Sequence, residues 1–158
     1  MNIRVRFSKH GCLKFIGHLD VMRYFQKAMR RAEIDMCYSE GFSPHMIMSF
    51  ASPLGLGLES DGEYMDISVK QSPSSKEAVE RLNAVMAEGI EVLSWRELPE
   101  NSKNAMASVA GADYEVRFRE GYELEEGWEK KLEELKTPVP SEKSPEPSKE
   151  SPPSGREN

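Results

Sequence analysis

Cysteine is scarce in this chain: Cys12 and Cys37 are the only two among 158 residues, 25 positions apart and in no CxxC pair. Closely spaced thiolates, which an iron–sulfur cluster requires, are therefore lacking. A structural zinc site normally draws its ligands from two tight pairs, and no such pattern is present. A disulfide between them cannot be argued from the spacing, and two reduced thiols fit a cytoplasmic protein. Long apolar runs are also lacking. Nothing approaches the roughly 20 apolar residues that span a bilayer, and Met1 to Phe7 alternates where a secretory signal would be continuously apolar. No membrane partner is expected. Aliphatic residues nearly vanish at the C-terminus, where Val139 alone stands among Pro, Ser, Glu and Lys between Thr137 and Asn158. Such a stretch buries too little apolar surface to offset the entropy of ordering it, so residues 137–158 are expected to form a disordered tail.

Charge is abundant and unevenly placed. The net charge is −6, yet residues 1–50 hold eight cations (Arg4, Arg6, Lys9, Lys14, Arg23, Lys27, Arg30, Arg31) against four acids (Asp20, Glu33, Asp35, Glu40). A locally basic first part can attract RNA or another polyanion although the whole chain is acidic. The plainer alternative is a solvated helix face.

Ile3, Val5 and Phe7 alternate with Arg4, Arg6 and Ser8, the pattern of a strand with one apolar face. Leu19, Met22, Phe25, Met29 and Ala32 then recur at three-to-four spacing opposite Arg23, Lys27 and Arg30, which predicts an amphipathic helix opening at Gly17 or His18. Asp20 falls in its first turn, where the helix dipole favours a negative charge. A second strand is predicted over His45 to Phe50 and a third over Glu63 to Val69. Ser74 and Glu77 form a capping box for a second helix carrying Ala78, Val79, Leu82 and Met86 on its apolar side. Ile90 to Trp95 reads as a fourth strand. The order strand, helix, strand, strand, helix, strand over residues 1–98 is that of an α+β, ferredoxin-like βαββαβ domain with both helices on one face of an antiparallel sheet. Its other face would carry Arg4, Arg6, Tyr64, Asp66 and Ser68, a surface like those on which RNA-recognition folds stack bases.

Residues 99–112 read as a linker. Val5-Arg6-Phe7 is echoed by Val116-Arg117-Phe118, so residues 113–136 are read as a partial second unit: a strand over Asp113 to Arg119, then an amphipathic helix with Leu124, Trp128, Leu132 and Leu135 along one side. The glycines at 55 and 57 make no dinucleotide fingerprint, because a third glycine is missing and a strand, not a helix, follows.

Two short blocks concentrate the chemistry: Phe15-Ile16-Gly17-His18-Leu19-Asp20, and Tyr38-Ser39-Glu40-Gly41-Phe42-Ser43-Pro44-His45. His18 and His45 are candidate general acid and base, with Asp20 or Tyr38 orienting one of them and Arg23 meeting a phosphate. Structural roles at a helix start and a turn are the alternative. Arg23, Lys27, Arg30, Arg31, Arg4, Arg6 and Tyr64 are candidate ligand contacts. No metal ligand set and no cofactor motif is apparent.

Together with Ser49-Phe50-Ala51 and Gly62-Glu63-Tyr64-Met65-Asp66, these blocks make the chain from about Asn2 to Phe118 resemble the radical-SAM-linked (radical-SAM-associated) protein family, a domain of unknown function. The chain departs from the family's usual pattern at Ser43 and Met46, which flank Pro44-His45. The motif residues carried over are Gly17, His18, Asp20, Ser39, Gly41, Phe42, Pro44 and His45. In relatives this domain stands alone or is fused behind a radical-SAM enzyme. The resemblance therefore implies an accessory or substrate-presenting module that partners such an enzyme without being one. RNA is the ligand class expected from the basic helix. An RNA-cleaving or RNA-modifying enzyme using His18 and His45 is one alternative reading, and a purely protein-binding adaptor is another.

Overall fold

In the computed structural model, which describes residues 1–118, 120–122 and 125–136, the alternating N-terminal segment becomes strand β1 (Asn2–Lys9). Its side chains at Ile3, Val5 and Phe7 are buried, whereas Arg4 and Arg6 point to the other face. A 3-10 turn (Gly11–Phe15) leads into helix α1 (His18–Arg31). Strands β2 (Met48–Phe50) and β3 (Ser60–Ser68), helix α2 (Ser75–Val85) and strand β4 (Ile90–Leu98) follow. The sheet is four-stranded and antiparallel throughout, in the order β2-β3-β1-β4. The fold is thus a mixed one of α-helices around an antiparallel sheet. Two more helices lie among the described residues, α3 (Ala105–Ser108) and α4 (Trp128–Lys136).

The core lies between one face of the sheet and the two long helices. Phe7, Phe25 and Phe50 meet edge-on at its centre, with ring centroids 4.7, 5.9 and 6.0 Å apart. Such geometry adds about 0.5–1.5 kcal/mol per pair to the burial itself. The buried stripe of α1 is Val21, Phe25, Ala28 and Met29. This corrects the expected stripe, because Leu19 is 65% exposed and Met22 is only half-buried. Val21, Phe25, Ala28 and Ala32 lie at spacings of four, three and four, one continuous face, and Leu19 falls off its edge. Ser74 caps α2 as expected, its hydroxyl accepting the Glu77 N–H.

The second strand is shorter than predicted. Residues 45–47 instead pair with the returning segment Met36 to Tyr38, through the bridge Tyr38↔Met46 and the bond from Ile47 N to Cys37 O. On β4 the register shifts between Arg6↔Ser94 and Phe7↔Val92, leaving Leu93 as an extra residue. The Asn83 side chain satisfies the freed edge by bonding both the N–H and the C=O of Val92, at 2.8 and 2.9 Å.

The chain divides into two units, Met1–Asp113 and Tyr114–Asn158. In the second, α4 carries Trp128, whose ring lies 5.8 Å edge-on from Phe118. The strand expected over Asp113 to Arg119 is not formed among the described residues. Tyr114, Val116 and Phe118 are all exposed, and an extended segment with no neighbour leaves its backbone unpaired. Leu124 and the tail expected over residues 137–158 lie outside the described residues, as does the side chain of Leu135.

Candidate functional site

Helix α1 opens at Gly17, whose carbonyl accepts the N–H groups of Asp20 and Val21. Burying Val21, Phe25 and Ala28 against the sheet turns the opposite side of the helix outward. Arg23, Lys27, Arg30 and Arg31 are consequently all exposed. Arg23 meets Asp20 at 3.5 Å in an exposed pair, of the kind worth well under 1 kcal/mol. Among the described residues no carboxylate lies within ion-pair distance of Lys27, Arg30 or Arg31. Two of these close the helix, where cations also offset the dipole. The expected cationic face therefore exists as a surface.

The two histidines hold separate partners. His18, the first helical residue, lies half-buried with its ring 5.1 Å edge-on from Phe50. His45 sits in an exposed loop, its Nδ1 2.8 Å from the Ser39 hydroxyl and 3.4 Å from the Ser43 carbonyl. The same hydroxyl accepts the His45 backbone N–H at 3.1 Å, and Ser39 N–H donates to the His45 carbonyl at 2.9 Å. The tie between Ser39 and His45 thus runs through both the ring and the backbone. It closes the loop that carries Gly41, at φ +110°, and Phe42, whose side chain is fully exposed at the tip. Pro44 is exposed beside it.

Asp20 contacts Arg23, and Tyr38 contributes its backbone to the bridge with Met46. Neither is hydrogen-bonded to a histidine among the described residues. The block of residues 38–45 thus closes on itself, and the block of residues 15–20 builds the start of α1 over Phe50.

On the outer face of the sheet, the sequence-predicted contacts part company. Arg4 stands opposite Asp66 and makes a two-pronged ion pair with it, at 2.8 and 3.0 Å. Its Nη2 also donates to Lys103 O at 2.8 Å, and Asp66 accepts the Ala105 N–H at 2.6 Å. The hydrogen bond to Asp66 is the main cause that raises the Arg4 pKa further. Arg4 therefore fastens residues 103–105 to the sheet, and its guanidinium is already engaged. Arg6 and Tyr64 remain exposed.

Two features escaped sequence reasoning. Lys9 ends β1 on the core side and is 1% exposed, its ammonium donating to Ile16 O at 3.0 Å. Burial pulls its pKa below the ordinary lysine value, with Glu63 partly opposing. Its place in the alternation after Phe7 was the available signal. The second is His10, whose ring lies 3.1 Å from Asp61 and 3.8 Å from Glu59. Glu59 also accepts from Lys14 Nζ at 3.2 Å and from Gly11 N–H at 3.1 Å, which together hold its carboxyl below the usual range. This cluster pins the glycine loop against the 3-10 turn. The cavity beside His10, about 390 Å³, is rimmed by Glu88 and Glu91 and would repel a phosphate. Among the described residues, no group of three or more His, Cys, Asp or Glu side chains is placed to hold a metal ion. Nor is any described helix long and apolar enough to cross a membrane.

A family model described as an uncharacterized protein conserved in bacteria (DUF2344) matches residues 2–149. The chain belongs to this family. The match runs past Phe118, to which the motif resemblance extends. A comparison with curated proteins gives no match.

Proposed function

We propose that the chain is a non-catalytic accessory module that binds RNA through α1 and presents it to a radical-SAM enzyme. The observation that carries this is the outward face of α1, where Lys27, Arg30 and Arg31 stand exposed with no described carboxylate beside them. Cations without local partners release counterions when they meet phosphates, which makes them an affinity source for nucleic acid. The strand order β2-β3-β1-β4 with α1 and α2 on the core side supports a ferredoxin-like reading of the first unit. The radical-SAM partner and the cytoplasmic location rest on the motif resemblance and on the two unpaired cysteines. An acid–base role for His18 and His45 gains no support, since one packs on Phe50 and the other closes a loop on Ser39.

A protein-binding adaptor is the second reading, favoured by Phe42 projecting from a loop that is closed at its base. The deciding experiment is binding of the full chain to a cellular RNA pool at two salt concentrations, with Arg23→Glu/Lys27→Glu/Arg30→Glu as control. Salt-sensitive binding abolished by the triple change supports the RNA reading. Absence of binding at low salt leaves the adaptor.

A further inference from the structure

The arginines of the outer sheet face outnumber the carboxylates there. Across the central strands the outward positions pair as Arg4 with Asp66 and Arg96, and Arg6 with Tyr64 and Ser94. In these two rows three arginines stand with one carboxylate. Arg4 and Arg96 stand directly opposite each other, an arrangement that costs stability unless a counter-charge is near. Asp66 answers Arg4 from β3. Arg96 is exposed and has no described carboxylate in ion-pair distance, and Arg6 makes only a 3.2 Å bond to the Asp61 carbonyl.

The Arg6 guanidinium lies over Gly62. A Cβ at Gly62 would lie 2.7 Å from Arg6 Nε and 2.9 Å from Nη2, so the guanidinium rests across β3 where the missing side chain leaves room. Tyr64, two residues on, is 40% exposed and shares this face. The segment from Leu98 through α3 covers the β2–β3 side, held by Arg4 and Asp66. Arg6, Tyr64 and Arg96 stand exposed outside it among the described residues.

We infer that Tyr64, Arg6 and Arg96 form a second docking surface for the same single-stranded RNA that the proposed function places on α1. The inference rests on that reading and extends it to the opposite side of the domain. The occupant must bring negative charge to two unanswered guanidinium groups and a flat π-face to a phenol ring. A nucleotide strand carries both, whereas an acidic peptide brings the charge alone. Base–aromatic stacking is sequence-tolerant, so the surface would hold a strand without selecting its sequence. Arg4 takes no part, because Asp66 and the Lys103 carbonyl occupy it.

The experiment titrates a labelled mixed-sequence single-stranded RNA 12-mer into the full chain over a salt series. The variants are Tyr64→Ala, Tyr64→Phe, Arg6→Ala/Arg96→Ala and the α1 triple reversal, each checked for an unchanged melting curve. Tyr64→Ala should weaken binding roughly 5- to 150-fold, and Tyr64→Phe should restore most of it. Arg6→Ala/Arg96→Ala should flatten the log–log salt slope by about 1.4, from about 0.7 per lost phosphate contact on a single strand. Gly62→Ala, which displaces Arg6, should reproduce part of that loss. If the α1 reversal abolishes binding while the Tyr64 and Arg6/Arg96 variants bind like the parent, the second surface is refuted and the α1 reading stands. Loss with Tyr64→Ala but not with the α1 reversal would uphold the sheet surface and refute the helix. A poly-glutamate peptide that competes equally, with Tyr64→Ala neutral, would overturn the RNA assignment of this face, and no RNA binding at low salt would overturn both.

Discussion

Replacing Asp66 by alanine removes one side chain and strands three donors. Arg4 loses both prongs of its ion pair, at 2.8 and 3.0 Å, and the Ala105 N–H loses its acceptor at 2.6 Å. The Arg4 and Asp66 side chains are 20% and 14% exposed, so the pair is neither a surface bridge nor a fully buried one. Breaking a fully buried pair costs roughly 3–5 kcal/mol, and an exposed pair roughly 0–1. An intermediate cost of about 2 kcal/mol, with about 1 kcal/mol for the stranded amide, gives about 3 kcal/mol. At roughly 4 °C per kcal/mol for a unit of this size, the melting midpoint should fall about 12 °C. Asp66→Asn, which keeps an acceptor but not the charge, should cost about half as much. A double-mutant cycle with Arg4→Met should show coupling of at least about 1 kcal/mol, because the two groups contact each other. Hydrogen exchange would report the local consequence: the Ala105 amide should lose protection before the core amides do. Additive single effects, or a loss below about 0.5 kcal/mol for Asp66→Ala, would sink the view that this pair fastens α3 to the sheet.

Three other perturbations test the framework. Phe25→Ala empties the centre of the aromatic cluster and should cost roughly 3–5 kcal/mol in denaturant unfolding, with an unchanged m-value. Gly89→Ala forces φ +105° on an L side chain and sets its Cβ 2.7 Å from the His10 carbonyl, so a loss of roughly 1–3 kcal/mol is expected by the same assay. Lys9 has its pKa lowered by burial, so above that folded value the native state releases its proton while the unfolded chain keeps it. Stability relative to Lys9→Met should therefore rise with pH up to the ordinary lysine value of about 10.4. A pH-independent difference between the two proteins would show that Lys9 is not held in the core.

The sequence by itself determined β1, α1, β3, α2 and β4, because each writes its burial into a local period, whereas α3 falls in residues 99–112, which read as a linker. Ile3, Val5 and Phe7 alternate, and Ser74 with Glu77 announces a helix start before any tertiary contact exists. It also determined that α1 has a cationic side, since Arg23, Lys27 and Arg30 follow the helical repeat. The tertiary structure alone decided which of the outward arginines is available. Arg4 and Arg6 are two residues apart on one strand and look alike in sequence, yet Asp66 and Lys103, 62 and 99 positions away, occupy the first and leave the second. It likewise separated His18 from His45, packing one on Phe50 and tying the other to Ser39. Periodicity is a property of neighbours along the chain, and availability for a ligand depends on neighbours across it.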